Sequence, residues 1–318
     1  MQNASSTASI RTRLATPSPL GCAWTITAVV LGVDIVWLML GGWSVSARGL
    51  VVLALGVGAC AAPLAIARYR RDARIATTMS FCVLLLMFQA AAATLSYLVV
   101  GTNAALVDAS LADADHALGF DWLALHAWLQ VHAVTRSVLH VAYHSGLTQL
   151  VFVVLFLALS GRRAQLESFM LLFIAATLFT IAVSGVFPAA GAWKFHAVAG
   201  ASVDLSALSH FELLRDGRLR EIALDRMQGL ISIPSLHAAL AVLLVHAVRA
   251  TRFVLPGFIV LDLAMLLSTP VDGGHYFVDV LAGVGLAVAL IALGRRGAAR
   301  VRSAARLARV SNLEAMAR

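Results

Sequence analysis

The chain has 318 residues, of which 60% are hydrophobic and 13% charged, with a mean hydropathy of +0.88 and a net charge of +8. So little polar surface cannot cover a folded core in water, which excludes an ordinary soluble domain and points to an integral membrane protein. The basic charge does not point to nucleic acid, because the arginines fall between apolar runs, where membrane topology and anionic lipid account for them.

Apolar runs of spanning length occur at about 20–41, 49–67, 75–100, 138–160, 166–187, 233–248, 253–269 and 275–294, against the ~20 residues that a bilayer requires. The first run has no distinct small-residue cleavage site and reads as a retained helix. Arg11 and Arg13 precede it; Arg68, Arg70, Arg71 and Arg74 follow the second run; Arg162 and Arg163 follow the fourth. Arg249 and Arg252 separate the sixth and seventh, and Arg295, Arg296, Arg300, Arg302, Arg306 and Arg309 follow the eighth. With both termini cytoplasmic, every cluster lies on the cytoplasmic side, as the positive-inside rule requires.

This pattern predicts an all-α polytopic membrane protein: a tail and two extra helices over 1–74, a six-helix core over 75–294, and a basic cytoplasmic tail over 295–318. The segment 104–136 is too polar to span and is expected to form helices in the outer interface, anchored by Trp122 and Trp128. The tail is expected to be a lipid-facing amphipathic helix or frayed. The long outer connection 188–231 is of a length that usually carries function. Cys22, Cys60 and Cys82 all lie in apolar runs and read as packing residues without disulfide or metal spacing.

Two strings carry chemistry: SIPSLHAA at Ser232–Ala239 and GGHYFVD at Gly273–Asp279. In an eight-span topology they open the sixth and eighth spans, so His237 and His275 arrive at the same extracytoplasmic level. Pro234 suits a first helical turn, and the free N–H groups after it, with the Ser235 hydroxyl, form a site for an anionic phosphate. Asp279, four residues after His275, is placed to fix its tautomer and stabilise the imidazolium. His275 can then act as nucleophile on phosphorus and His237 as acid and base, with no metal or cofactor.

For positive charge at the phosphate the 188–231 connection offers Lys194, the single lysine of the chain, Arg226, and also Arg215, Arg218 or Arg220. Tyr143 and His144 are candidates for a headgroup pocket. The four-residue spacing of His140 and His144 could hold a metal, but no third ligand is evident, so no metal is assigned. Asp34 and Asp262 fall inside apolar runs, which keeps a proton-coupled transporter open as a reading from another class. Against it, nothing resembles paired broken helices in two related halves.

SIPSLHAA and GGHYFVDVLAG resemble the second and third signature motifs of the type-2 phosphatidic acid phosphatase superfamily, in particular its inositolphosphotransferase branch, which includes inositol phosphorylceramide synthases. The resemblance covers roughly 75–294. It implies a six-helix core, a phosphohistidine at His275 supported by Asp279, and His237 as acid/base. It also implies transfer of a phosphoinositol headgroup from a glycerophospholipid donor to a ceramide-like or other lipid alcohol at the extracytoplasmic end of the core; the membrane is expected to be a bacterial inner membrane. Hydrolysis of a lipid phosphate or prenyl pyrophosphate is the alternative, with water as acceptor. The chain departs from the phosphatase pattern at Thr269, preceded by Ser268, where that branch has arginine. It also lacks the Arg-Pro of the first motif, since Ala201 stands seven positions after Lys194. FPAAGAWK at Phe187–Lys194 is the expected degenerate form of that motif.

Overall fold

The structure is a computed structural model, and it describes residues 18–196 and 205–316. The expectations for Arg11, Arg13 and Ala201, and for the side chains of Arg300, Arg302, Arg306 and Arg309, lie outside the described residues.

Helix α1 (Pro19–Gly41) starts on Ser18, whose hydroxyl accepts the Gly21 N–H at 3.1 Å, and stops at Gly42 in the left-handed conformation, a common helix terminator. A short strand β1 (Ser44–Val45) leads to α2 (Ala47–Ala65), capped by Ser46, and then to α3 (Ala67–Arg71). Asp72 caps α4 (Ala73–Val100) by accepting from the Arg74 and Ile75 N–H groups. Three shorter helices follow: α5 (Asp108–Ala117), α6 (Trp122–Val131, capped by Asp121) and α7 (Ala133–His144). Then come α8 (Gly146–Leu159), α9 (Arg163–Val186), α10 (Ala192–Phe195), α11 (Leu205–Arg215) and the strand β2 (Glu221–Ile222). The chain ends in α12 (Leu236–Val248), α13 (Leu255–Asp272) and α14 (Phe277–Met316).

Six described helices are long and apolar enough to cross a membrane, seven if α7 and α8 count as one bent span. The protein is therefore all-α and polytopic; in the described residues, its only sheet is the two-residue parallel pairing of β1 with β2. That pairing fastens the α1–α2 connection to the long 188–231 connection. On α1 and α2, Val29, Val36, Met39, Leu40, Val51 and Leu55 are exposed, a surface that suits lipid and not water.

The bundle is organised around α12. This helix has only 13 residues, roughly 20 Å of rise, and it packs against α8, α9, α13 and α14. It is apolar on all sides, as a helix enclosed by others must be. Phe81, Leu84 and Phe88 of α4, Phe169 and Phe173 of α9, and Leu243 and Leu244 of α12 share one buried core with Leu157 and Met265.

Several expectations are corrected. The run at 138–160 is not one straight span: α7 and α8 meet at 47°, at a Ser145–Gly146 pair of the kind that kinks helices. Trp122 is no interfacial anchor; it is 3% exposed, and its indole N–H donates to the Pro270 carbonyl of α13 at 2.9 Å. Trp128 remains half-exposed. Pro234 stands before the helix, because Ser235 is the cap of α12. Of the two alternatives for the basic tail, the helical one is seen, as a direct continuation of α14 to Met316.

Candidate active site

The two histidine strings converge at one end of the bundle. His237 is the second residue of α12, and His275 lies two residues before α14 begins. Both line a single chamber of about 230 Å³, whose other walls come from α4, α9 and the 228–231 segment. Ser235 links the strings directly: its Oγ lies 3.4 Å from His275 Nε2 and 3.4 Å from the Ala238 N–H that it caps.

Close packing of glycine makes this convergence possible. Gly283 of α14 lies against the start of α12, where an added Cβ would stand 2.2 Å from the Ser235 carbonyl. Gly274 adopts φ +64°, and a Cβ there would stand 2.1 Å from Trp193 Cδ1. The backbone turn ahead of His275 is thus pressed onto the Trp193 indole, whose N–H donates to the Val271 carbonyl at 2.6 Å. The Ala192 N–H donates to the Gly274 carbonyl at 2.8 Å. FPAAGAWK, the expected degenerate first motif, therefore rests on the third.

Asp279 is fully buried, with Oδ2 3.5 Å from His275 Nδ1. That separation is an ion-pair contact and is longer than a hydrogen bond. The contact also differs from the expected one along a shared helix face, since His275 precedes the helix. The same Oδ2 accepts the Ser232 hydroxyl at 2.5 Å and the Tyr276 N–H at 3.1 Å. This leaves Nδ1 toward the carboxylate and Nε2 toward Ser235.

His237 is held by Tyr143, whose ring stacks on it at 4.3 Å and whose hydroxyl hydrogen-bonds Nδ1 at 3.2 Å. A Cβ at Gly146 would meet His237 Cδ2 at 3.5 Å, an ordinary contact, so the α7–α8 bend passes directly beside the imidazole. His144 instead stacks on His140, and His140 hydrogen-bonds Asp272 at 2.9 Å. Among the described residues no three His, Cys, Asp or Glu side chains gather as a metal-ligand set.

A layer behind the motifs escaped the sequence reading. Asp108 accepts from the Ala190 and Gly191 N–H groups and from the Tyr276 hydroxyl at 2.9 Å. Burial, and then the neighbouring Asp108, raise the Tyr276 phenol pKa, so it stays a donor. Asp115 accepts from the Phe277 and Val278 N–H groups, both at 2.8 Å. Burial holds the Asp115 carboxyl above its ordinary range, and those two N–H bonds pull it back down. The α5 acids thus pin both the 188–191 loop and the start of α14, which carries the His275 turn. Their partners, four backbone N–H groups and the Tyr276 hydroxyl, are all more than eighty residues away, and no sequence pattern marks them.

The expected cations lie elsewhere. Lys194 is ion-paired with Glu212 and Arg226 is beside Asp225 at 3.9 Å; neither lines the chamber. Arg215 covers the Phe211 ring and Arg220 the Trp43 ring. Ser268 and Thr269 are buried and spend their hydroxyls on the Met265 carbonyl. Asp34 and Asp262 are buried in α1 and α13, and neither lines the chamber.

No curated protein and no solved structure matches the chain. A family match covers residues 109–293, from α5 into α14, and takes in both histidine strings but not α4. On that match and this architecture, the chain belongs to the PAP2 superfamily and is a membrane-embedded enzyme of the lipid phosphatase or phosphotransferase type.

Proposed function

We propose that this protein is a lipid phosphotransferase, moving a phosphate-bearing headgroup, phosphoinositol in the reading that its motifs favour, from a glycerophospholipid to a lipid alcohol. The observation that carries this reading is the meeting of His237 and His275 on one chamber inside an apolar bundle, with Asp279 and Ser235 set against the two nitrogens of His275.

In the first step His275 Nε2 attacks phosphorus. The P–N bond forms as the P–O bond to the glycerol breaks, and the departing oxygen takes a proton from His237. The Asp279 carboxylate, on the Nδ1 side, stabilises the cationic ring by its charge. In the second step the acceptor hydroxyl gives its proton to His237 and attacks phosphorus, and the P–N bond breaks. Ser235 and the N–H groups opening α12 face the non-bridging oxygens, a helix N-terminus being a natural anion site. No metal is assigned a part. Lys194 and Arg226 are left as cations of the outer connection that could meet an incoming headgroup.

We also place the chamber on the extracytoplasmic side of a bacterial inner membrane, with cytoplasmic termini. The arginine clusters support this by gathering at the opposite end of α12. Arg162 reaches the Ala250 carbonyl at 3.5 Å, a Cβ at Gly161 would be 4.0 Å from Arg74 Nε, and Arg295 is within electrostatic reach of Arg249.

Incubation of the purified protein with headgroup-labelled phosphatidylinositol, with and without a lipid alcohol, tests the reading. A new labelled lipid that depends on the alcohol is expected. Water-soluble label released at the same rate in both cases would replace transfer by hydrolysis.

A further inference from the structure

Helix α9 carries two hydroxyls that it does not use itself. A helical threonine in an apolar interior commonly gives its hydroxyl to the carbonyl four residues back, and Thr27, Thr78 and Thr94 do so at 2.9, 2.8 and 2.9 Å. Thr177 and Thr180 are 4% and 1% exposed, and neither hydroxyl has a hydrogen-bond partner. Three residues apart, they share one face of the helix, and both line the chamber that contains His237 and His275. Gln89 and Ser96 of α4 line it as well.

Charge narrows what these groups can receive. The described lining contains no Lys, Arg, Asp or Glu and no Phe, Tyr or Trp. Without a cation beyond the histidines, this wall is poorly suited to a phosphate. Lacking a carboxylate or an aromatic face, it is equally unsuited to a choline or ethanolamine headgroup. Buried hydroxyls and an amide without charged neighbours match neutral hydroxyl groups, whose donors and acceptors they satisfy.

Resting on the phosphotransfer reading, we propose that Thr177 and Thr180, with Gln89 and Ser96, form a subsite for a neutral hydroxyl-bearing group beside the reacting phosphorus. Such a group comes either from the polyol headgroup of the donor or from the accepting lipid alcohol. The subsite selects hydroxylic over zwitterionic lipids at that position.

The test is direct binding to full-length protein in detergent, in a His275→Ala background so that no probe is consumed. Dioctanoyl phosphatidylinositol and dioctanoylglycerol are the two hydroxylic probes, and dioctanoyl phosphatidate is the control. The isosteric pair Thr177→Val with Thr180→Val is expected to weaken at least one hydroxylic probe about tenfold and to leave phosphatidate within about twofold. The pair Thr177→Ser with Thr180→Ser is expected to keep binding. Loss confined to phosphatidylinositol identifies the headgroup as the source, and loss confined to dioctanoylglycerol identifies the acceptor. Unchanged binding of both hydroxylic probes by the valine pair, an equal loss of phosphatidate, or no binding of either hydroxylic probe by the parent would overturn the proposal. Failure of the phosphotransfer reading is seen separately, as turnover that survives His275→Ala.

Discussion

Ser232 and Gly274 show how single positions govern the His275 environment. Ser232 gives its hydroxyl to the Asp279 oxygen that faces His275, and a hydrogen bond to a charged group contributes about 1.5–3 kcal/mol. Ser232→Ala is therefore expected to lower kcat roughly tenfold or more with KM little changed, in steady-state assays of headgroup release. A loss confined to KM would mean that Ser232 holds substrate and not the carboxylate. Gly274→Ala combines a left-handed backbone with a clash against Trp193. The cost is about 2–4 kcal/mol, to be seen as a lower Tm in detergent together with lost turnover. The histidines and Asp279 were legible as residues, because a histidine near a span start followed by an acid is a rare pattern in lipid. Ser232, by contrast, was only the border of a motif, and nothing in its spacing marks its bond to an acid 47 positions away.

At the scale of elements, α5 is the least expected part of the molecule. Its sequence reads as a polar amphipathic stretch at the interface, yet Asp108 and Asp115 reach inward to the 188–191 loop and to the start of α14. Asp115→Ala strips two N–H groups of their acceptor at a helix N-terminus, where a negative charge is favoured. It is expected to lower Tm by several degrees and to reduce turnover, with Asp115→Asn intermediate because one amide oxygen can still accept. Unaltered stability and turnover in Asp115→Ala would remove α5 from the support of the site. The long spans were readable because a bilayer demands ~20 apolar residues. The bend at Ser145–Gly146 was not, since hydropathy is blind to direction; the sixth run was already short at 233–248, and its apolar approach hid only that the helix begins at Leu236.

For the whole molecule, the arrangement joins a lipid-facing exterior to a largely apolar chamber bearing the two histidines at one end and to clustered arginines at the other. The proposed sidedness rests on the positive-inside rule and can be read by labelling. After replacement of Cys22, Cys60 and Cys82, a cysteine at the exposed Asp113 should react with an impermeant thiol reagent in intact cells, and one at the exposed Arg70 only after lysis. The reverse pattern would put the chamber on the cytoplasmic side. Whichever side it faces, the proposed reaction depends on the imidazole of His275. The most direct measurement is acid-labile, base-stable trapping of label on the purified protein after brief exposure to phosphatidylinositol labelled in its phosphate. Label held by the wild type and absent from a folded His275→Ala variant, with turnover reduced at least about a thousandfold, is the predicted result; undiminished turnover by that variant would contradict it.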